Sequence, residues 1–198
     1  MFTRKLLCAL IALGTSGVAS ANGAIVPTEW TIAGGGNGHF YAFIAGDFTW
    51  DAAFSDAATH SFGGSTGYLA TVTSAAENNF LVSVSGNLAW LGGSDSDATS
   101  VNYWTWRAGP EAGQPFTFTS WGAGEPNNCC GGEDYLQTNW ITPGNWNDHG
   151  GPGNAGQLNG YFVEFSAPPV PEPGTYAMML TGLGLVGFGL RRARKQQR

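Results

Sequence analysis

The chain has 198 residues, 14 acidic against 8 basic, with 31 glycines and 8 tryptophans. Arg107 is the only Lys or Arg between residues 22 and 190, and set against all 14 acids it leaves that span with a net charge of −13. Such a surface excludes a nucleic-acid partner, whose phosphates need a basic face, and it crowds carboxylates that repel one another unless an ion neutralises them; in an exported protein the available hard cation is calcium.

Residues 1–21 carry Arg4 and Lys5, an apolar run from Leu6 to Leu13 and the small residues Ala19-Ser20-Ala21. This is the pattern of a secretion signal cut by signal peptidase after Ala21. The alternative, an uncleaved anchor, needs roughly 20 apolar residues and finds about eight. Residues 22–37 read as a linker, and the run Gly34-Gly35-Gly36-Asn37-Gly38 lacks the Lys-Ser/Thr of a phosphate loop. A single domain over 38–166 then follows, in a mature region of about 150 residues, enough for one core and too short for two. His39 to Ile44 is aromatic and β-branched enough for a strand. Thr49 caps a helix whose inward face is Trp50, Ala53, Phe54 and Ala57. Ser74 with Glu77 forms a capping box opening a second helix, with Ala76, Phe80, Leu81 and Val84 facing inward. Leu88 to Leu91 reads as a buried strand, loops rich in Gly, Ser, Asp and Asn run to Gly160, and Tyr161 to Phe165 closes the domain.

Beyond a proline-rich linker over 167–173, residues 174–190 are free of charge and as a helix would reach about 26 Å, enough to cross a membrane. The basic tail 191–198 keeps that end cytoplasmic. The tripeptide Pro171-Glu172-Pro173, the apolar helix and the basic end together resemble the PEP-CTERM sorting signal. The resemblance implies a Gram-negative bacterium that makes extracellular polysaccharide, a membrane-bound exosortase cutting near Pro171 to Pro173, an inner-membrane anchored intermediate, and delivery to the cell surface or extracellular matrix. A plain single-pass anchor explains the hydrophobicity but not the tripeptide.

The chemistry concentrates between residues 121 and 148, where Glu125, Asn127, Glu133, Asn147 and Asp148 offer side-chain oxygens among Gly, Pro and Asn. Calcium takes about six to eight oxygen ligands and accepts a mixture of carboxylates and amide carbonyls, so this set fills most of one coordination sphere. No thiol or histidine array has zinc spacing. His39, His60 and His149 lack a nucleophile motif such as Gly-x-Ser-x-Gly, which argues against an enzyme; His149 reads as a solvent-facing loop residue.

Glu125-Pro126-Asn127, Glu133-Asp134 and Trp146-Asn147-Asp148, in that order, resemble the C-type lectin-like family. Tyr68-Leu69-Ala70-Thr71-Val72, Ala89-Trp90-Leu91-Gly92-Gly93 and Phe162-Val163-Glu164-Phe165 resemble its framework segments. The resemblance implies an α+β fold in which two helices flank small antiparallel sheets and long loops carry calcium, with a cis peptide before Pro126. It implies calcium held by Glu125, Asn127, Glu133, Asn147 and Asp148. It further implies a glycan or extracellular polysaccharide held by Glu125, Asn127, Glu133 and Asn147 through equatorial 3- and 4-hydroxyls, as in mannose, glucose or N-acetylglucosamine. Asp134 is open between a second calcium site and a surface or loop-capping carboxylate. The family's bridging cysteines are missing, with Tyr135 and Val163 where Cys is common. Cys129 and Cys130 are open to three states: a vicinal disulfide, an intermolecular bridge or free thiols. Two rival functions stand beside sugar binding: a matrix or protein-interaction module using calcium for stability alone, and an enzyme on the same fold.

Overall fold

The computed structural model describes residues 25–97, 102–151 and 156–167, together with Thr181. The secretion signal, Pro171-Glu172-Pro173 and the basic tail lie outside the described residues, as does all of the apolar helix over 174–190 except Thr181. No helix among the described residues is long and apolar enough to cross a membrane.

Thirteen short elements follow one another along the described chain. Thr28–Glu29 (β1) precedes a 3-10 turn over Ile32–Gly34 and the long strand Phe40–Phe48 (β2); Trp50–Ala57 forms α1. Ser61–Phe62 (β3), Ser65–Thr66 (β4) and Tyr68–Leu69 (β5) lead into Ala75–Val84 (α2). Then come Ala89–Ser94 (β6), Thr105–Trp106 (β7), Tyr135–Thr138 (β8), Trp146–His149 (β9) and Leu158–Phe165 (β10).

The main sheet runs β1-β2-β10-β6-β8-β9, with β5 added on β10 and β7 on β6. Antiparallel pairing of β2 with β10, from Phe40 opposite Phe165 to Tyr161 opposite Ile44, ties the two ends of the domain together. β10 meets β6 in parallel at Tyr161 and Trp90, which carries the sheet across to β8 and β9. Side chains alternate across a strand. Accordingly Tyr161, Val163 and Phe165 join one apolar cluster with Trp50 and Trp90, while Phe162 joins another with Leu81, Leu91, Trp106 and Trp146. Three buried indoles also donate: Trp50 Nε1 to the Leu91 carbonyl (2.8 Å), Trp90 Nε1 to the Phe48 carbonyl (2.8 Å) and Trp146 Nε1 to Asn78 Oδ1 (2.9 Å). Each ring thus fills the core and fixes a register at once. At Gly92 a Cβ would stand 2.7 Å from the Leu69 carbonyl oxygen, so the Trp-Leu-Gly-Gly sequence lets β6 pass close beneath β5.

Both helix starts are as the sequence predicts. Thr49 accepts from the Ala52 amide and Ser74 from the Glu77 amide, each at 3.2 Å, caps that contribute about 1 kcal/mol apiece. The inward faces differ. In α1, Phe54 is 36% exposed and stacks on Trp50 from outside. In α2, Glu77 and Asn78 are buried beside Leu81 while Ala76 is exposed, because fixed hydrogen-bond partners give those polar side chains the inner face. The segment read as a linker over 22–37 also departs from expectation: Thr28 and Glu29 pair with Tyr41 and Phe40 at the sheet edge. Asn37 Nδ2 bonds Tyr41 Oη (2.8 Å) and Glu77 Oε1 (3.3 Å). The strand predicted for His39 to Ile44 continues to Phe48, and the region read as loops contains β7, β8 and β9.

Below the first turn of α2 lies an acid-rich network. Glu77 accepts from the Tyr41 hydroxyl (2.6 Å) and from the Thr73 amide (2.7 Å); Glu164 accepts from the Thr71 amide (3.0 Å) and stands 2.6 Å from His39 Nδ1. Glu111 accepts from the Thr71 hydroxyl (2.8 Å). Burial raises the Glu77 carboxyl above its ordinary 4.5, and the hydrogen bond to Glu164 raises His39 above 6.5. Both groups hold protons more tightly folded than unfolded, so their contribution is complete below the unfolded pKa and is lost as pH rises through the raised folded value. The melting temperature in chelator should therefore fall as pH rises above 4.5, the ordinary value of Glu77, and fall further above 6.5, that of His39. In His39→Gln the part of that fall above 6.5 should disappear; an unchanged profile in this variant would show that the His39–Glu164 pair carries no linkage.

Candidate functional site

Two sheet strands and one loop build the site. β8 and β9 are antiparallel neighbours, with Leu136 opposite Asp148, Gln137 opposite Asn147 and Tyr135 opposite His149. The loop 121–134 is pinned to the start of β9 by amide bonds from Gly122 to the Trp146 carbonyl and from Trp146 to the Ser120 carbonyl, both 2.8 Å. Asn78, on α2, orients that strand from behind: it accepts the Trp146 indole and donates to the Gly144 carbonyl (2.8 Å).

Asp148 is fully buried and faces the loop, where Oδ1 accepts the Asn127 amide (3.0 Å) and Oδ2 the Asn128 amide (2.6 Å). Next along the loop, the Cys129 amide lies between Asn127 Oδ1 (2.9 Å) and Glu133 Oε2 (3.1 Å). Asn128 Oδ1 closes the turn on the Glu133 amide (2.8 Å). Asn147, buried on β9, donates to Gln137 Oε1 (3.2 Å) and to the Asp148 carbonyl (2.5 Å). The structure thus links four of the five candidate ligands, Asn127, Glu133, Asn147 and Asp148, through one hydrogen-bonded web.

Glu125 is the fifth, and it differs. The Glu125–Pro126 peptide is cis. Its Oε2 is shielded from water yet has no hydrogen-bond partner. Burial first, then the carboxylates of Asp148 and Glu133, raise its pKa above 4.5. An orphaned carboxylate oxygen among other acids is the place where a hard cation fits. The donor set is all oxygen, two amides and three carboxylates, as calcium prefers. Among the described residues no three His, Cys, Asp or Glu groups draw together into a metal-holding cluster; Asp148 and Glu133 turn onto the loop's own N–H groups, which stand where positive charge is wanted.

Several neighbouring residues fall differently from the sequence reading. His149 is on β9, not in a solvent-facing loop: it stacks on Trp90 (centroids 5.7 Å) and its Nδ1 lies 3.4 Å from Glu133 Oε1. Asp134 is half-buried, with burial and Asp148 raising its pKa. Asp95, absent from the sequence reading, sits alongside, its amide on the Asp134 carbonyl (3.1 Å) and its Oδ1 buried without a partner. Cys129 and Cys130 are joined to each other, the first of the three states left open. Asn78, Gln137 and Asn128 are structural members of the site that sequence reasoning missed; the one available signal was Gln137, two residues from Tyr135 and so on the same face of a short strand.

The strand pairing that brings the chain ends together, the two flanking helices and the loop site define a C-type lectin fold. C-type lectin CEL-I from Cucumaria echinata superimposes with a TM-score of 0.52 and 25% identity, covering 66% of this chain and 91% of that one. Over 138 residues, 65% of this chain, the sequence is 32% identical to Halomucin of Haloquadratum walsbyi, of which that stretch is 1%. Over 86 residues, 40% of this chain, it is 38% identical to ladderlectin of Oncorhynchus mykiss, spanning 42% of that protein. The chain therefore spans less than half the length of these curated relatives. Residues 169–195 match the PEP-CTERM protein-sorting motif, so a lectin-type domain is carried ahead of a signal for export and surface sorting.

The orphaned Glu125 predicts a sign reversal. In chelator, Glu125→Gln should raise the melting temperature by about 1–3 °C at neutral pH, since it removes a charge repelled by Asp148 and Glu133 while the amide keeps an acceptor oxygen. Differential scanning calorimetry reads this; a lower melting temperature would mean that Glu125 is held by something other than the acids around it.

Proposed function

We propose that the domain binds saccharides in a calcium-dependent manner, taking sugars with vicinal equatorial hydroxyls of the mannose, glucose or N-acetylglucosamine type. The observation that carries this reading is the unpartnered Oε2 of Glu125, beside the Asp148 and Glu133 carboxylates. Glu125, Asn127, Glu133, Asn147 and Asp148 would hold the ion. Calcium, when bound, supplies the positive charge that this acidic loop lacks and open coordination places for two hydroxyl oxygens. The side chains do the rest. Glu125 and Glu133 accept hydrogen bonds from sugar hydroxyls, Asn127 donates an amide hydrogen to a sugar oxygen, and Asn147 does the same on releasing Gln137 or the Asp148 carbonyl. Asp148, held by two loop amides, keeps β9 and the loop in register. The lectin relatives and the sugar-binding fold support a binding role over a catalytic one.

The sorting motif supports the cellular half of the reading: export on the N-terminal signal, an intermediate anchored in the inner membrane by residues 174–190, exosortase cleavage near Pro171-Glu172-Pro173, and a final place at the cell surface or in its polysaccharide matrix.

The test is a calcium titration followed by mannose, read by tryptophan fluorescence and by melting temperature. Calcium at about 100 times its Kd should stabilise the domain by about 2.7 kcal/mol, and mannose should add a further shift only when calcium is present. Glu125→Gln/Asn127→Asp should lose the mannose response. Mannose binding that persists in chelator would end the proposal. Calcium stabilisation with no response to any saccharide would instead assign the ion a purely structural role in a matrix module.

A further inference from the structure

Between the proposed ligands Asn127 and Glu133 the loop contains a feature that ion binding by itself does not require. Cys129 and Cys130, adjacent in sequence with Cα atoms 3.8 Å apart, are joined by a disulfide. The Cys129 amide is the donor shared by Asn127 Oδ1 (2.9 Å) and Glu133 Oε2 (3.1 Å), and the Cys129 carbonyl accepts from Gly132 (3.0 Å). One N–H, that of the Asn128–Cys129 peptide, therefore bonds side-chain oxygens of two of the proposed ligands. The backbone around it is unusual: Asn128, Cys130, Gly131 and Gly132 have φ of 48°, 60°, 104° and 113°. Non-glycine residues remain in that region only where their surroundings over-determine them. A bond between neighbouring sulfurs closes a ring through the Cys129–Cys130 peptide and so constrains Cys130, directly after the residue whose N–H holds the two ligands. Cys130 is exposed and Cys129 half-buried, so a small thiol can reach the bond.

We propose that the Cys129–Cys130 disulfide is a positioning element and redox switch for the saccharide site, an inference that rests on the calcium and sugar reading above. Oxidised, it keeps the Cys129 amide between Asn127 and Glu133, and both oxygens stay in register. A dithiol opens it: one thiolate attacks a cysteine sulfur to give a mixed disulfide, and the second displaces the protein thiolate. The reductant leaves as a cyclic disulfide, and Cys129 and Cys130 take up two electrons and two protons as thiols. The loop is then free to leave its left-handed turns, and the ligand pair separates. In an oxidising compartment the closed form is the resting one.

The experiment measures mannose affinity at saturating calcium for the oxidised protein, for the protein reduced by dithiothreitol with two thiols counted, and for the reoxidised protein. Amide hydrogen exchange at Asn127 to Cys129 is followed in parallel. Reduction should weaken mannose binding at least about tenfold, the scale on which residues supporting metal ligands act, and reoxidation should restore it. Cys129→Ser/Cys130→Ser should bind like the reduced protein and ignore dithiothreitol, with a melting temperature in chelator near that of the wild type. Unchanged affinity after complete reduction overturns the switch. If the oxidised protein binds no mannose, the reading of the site fails by itself, and amide exchange judges the disulfide: protection of the Cys129 amide that survives reduction overturns its positioning role too.

Discussion

A buried carboxylate must be answered by something positive, and in this domain almost nothing is. Asp148 is fully buried on β9, and the only Lys or Arg of the exported region, Arg107, pairs instead with Asp97 at the surface, where an ion pair contributes little. The amides of Asn127 and Asn128 answer it. That choice dictates the path of the loop: to aim two consecutive N–H groups at one carboxylate the chain must curl, and it does so through the left-handed turns from Asn128 to Gly132. The same curl delivers the Cys129 amide to Asn127 and Glu133. Glu125, upstream of the curl, keeps one oxygen, Oε2, without a hydrogen-bond partner, and burial with the Asp148 and Glu133 carboxylates raises its pKa.

The far side of the domain meets the same shortage with different groups. Glu77 and Glu164 are buried within reach of one tyrosine hydroxyl, and Thr71, Thr73, Asn37 and His39 supply the remaining donors. There the network is closed, with hydrogen bonds drawn from β2, β10, the segment after β5 and the start of α2. It fastens the helix to the paired chain ends without any ion and without a disulfide crossing the core. The two acid clusters therefore differ in kind: one is satisfied from within, while the other keeps an unpaired oxygen at its mouth.

Local signals in the sequence were legible wherever one residue type has one physical use. Thr49 and Ser74 cap helices, and Glu125, Asn127, Glu133, Asn147 and Asp148 stand out as oxygen-bearing side chains spaced among Gly, Pro and Asn. What stayed hidden was set by long-range partners. Ala76 looks like a core residue of α2 until Asn37 and Tyr41 come in over Glu77, and the Trp146 indole over Asn78. β8 and β9 are four residues each, too short for alternation to rise above their Asn and Gly content. His149 was read as loop for the same reason, though Trp90 covers its ring. Thr28 and Glu29 carry no strand pattern and become one only because β2 offers an open edge.

The division of the site between a strand and a loop suits reversible binding. Asn147 and Asp148 sit on a sheet whose neighbours are buried, so their positions are given before any ligand arrives, whereas Glu125, Asn127 and Glu133 ride on a loop whose internal bonds are N–H contacts that an ion can replace. If sugars are held there through hydroxyl oxygens, as proposed, little apolar area is covered and single-site affinity is limited. A chain carrying a surface-sorting motif has another route to strength. Many copies held at one surface raise the effective concentration for a repeating polymer, and avidity then grows without any new contact. On the proposed reading, many exchangeable sites held at one surface would favour a polysaccharide with repeated sugars over a single sugar.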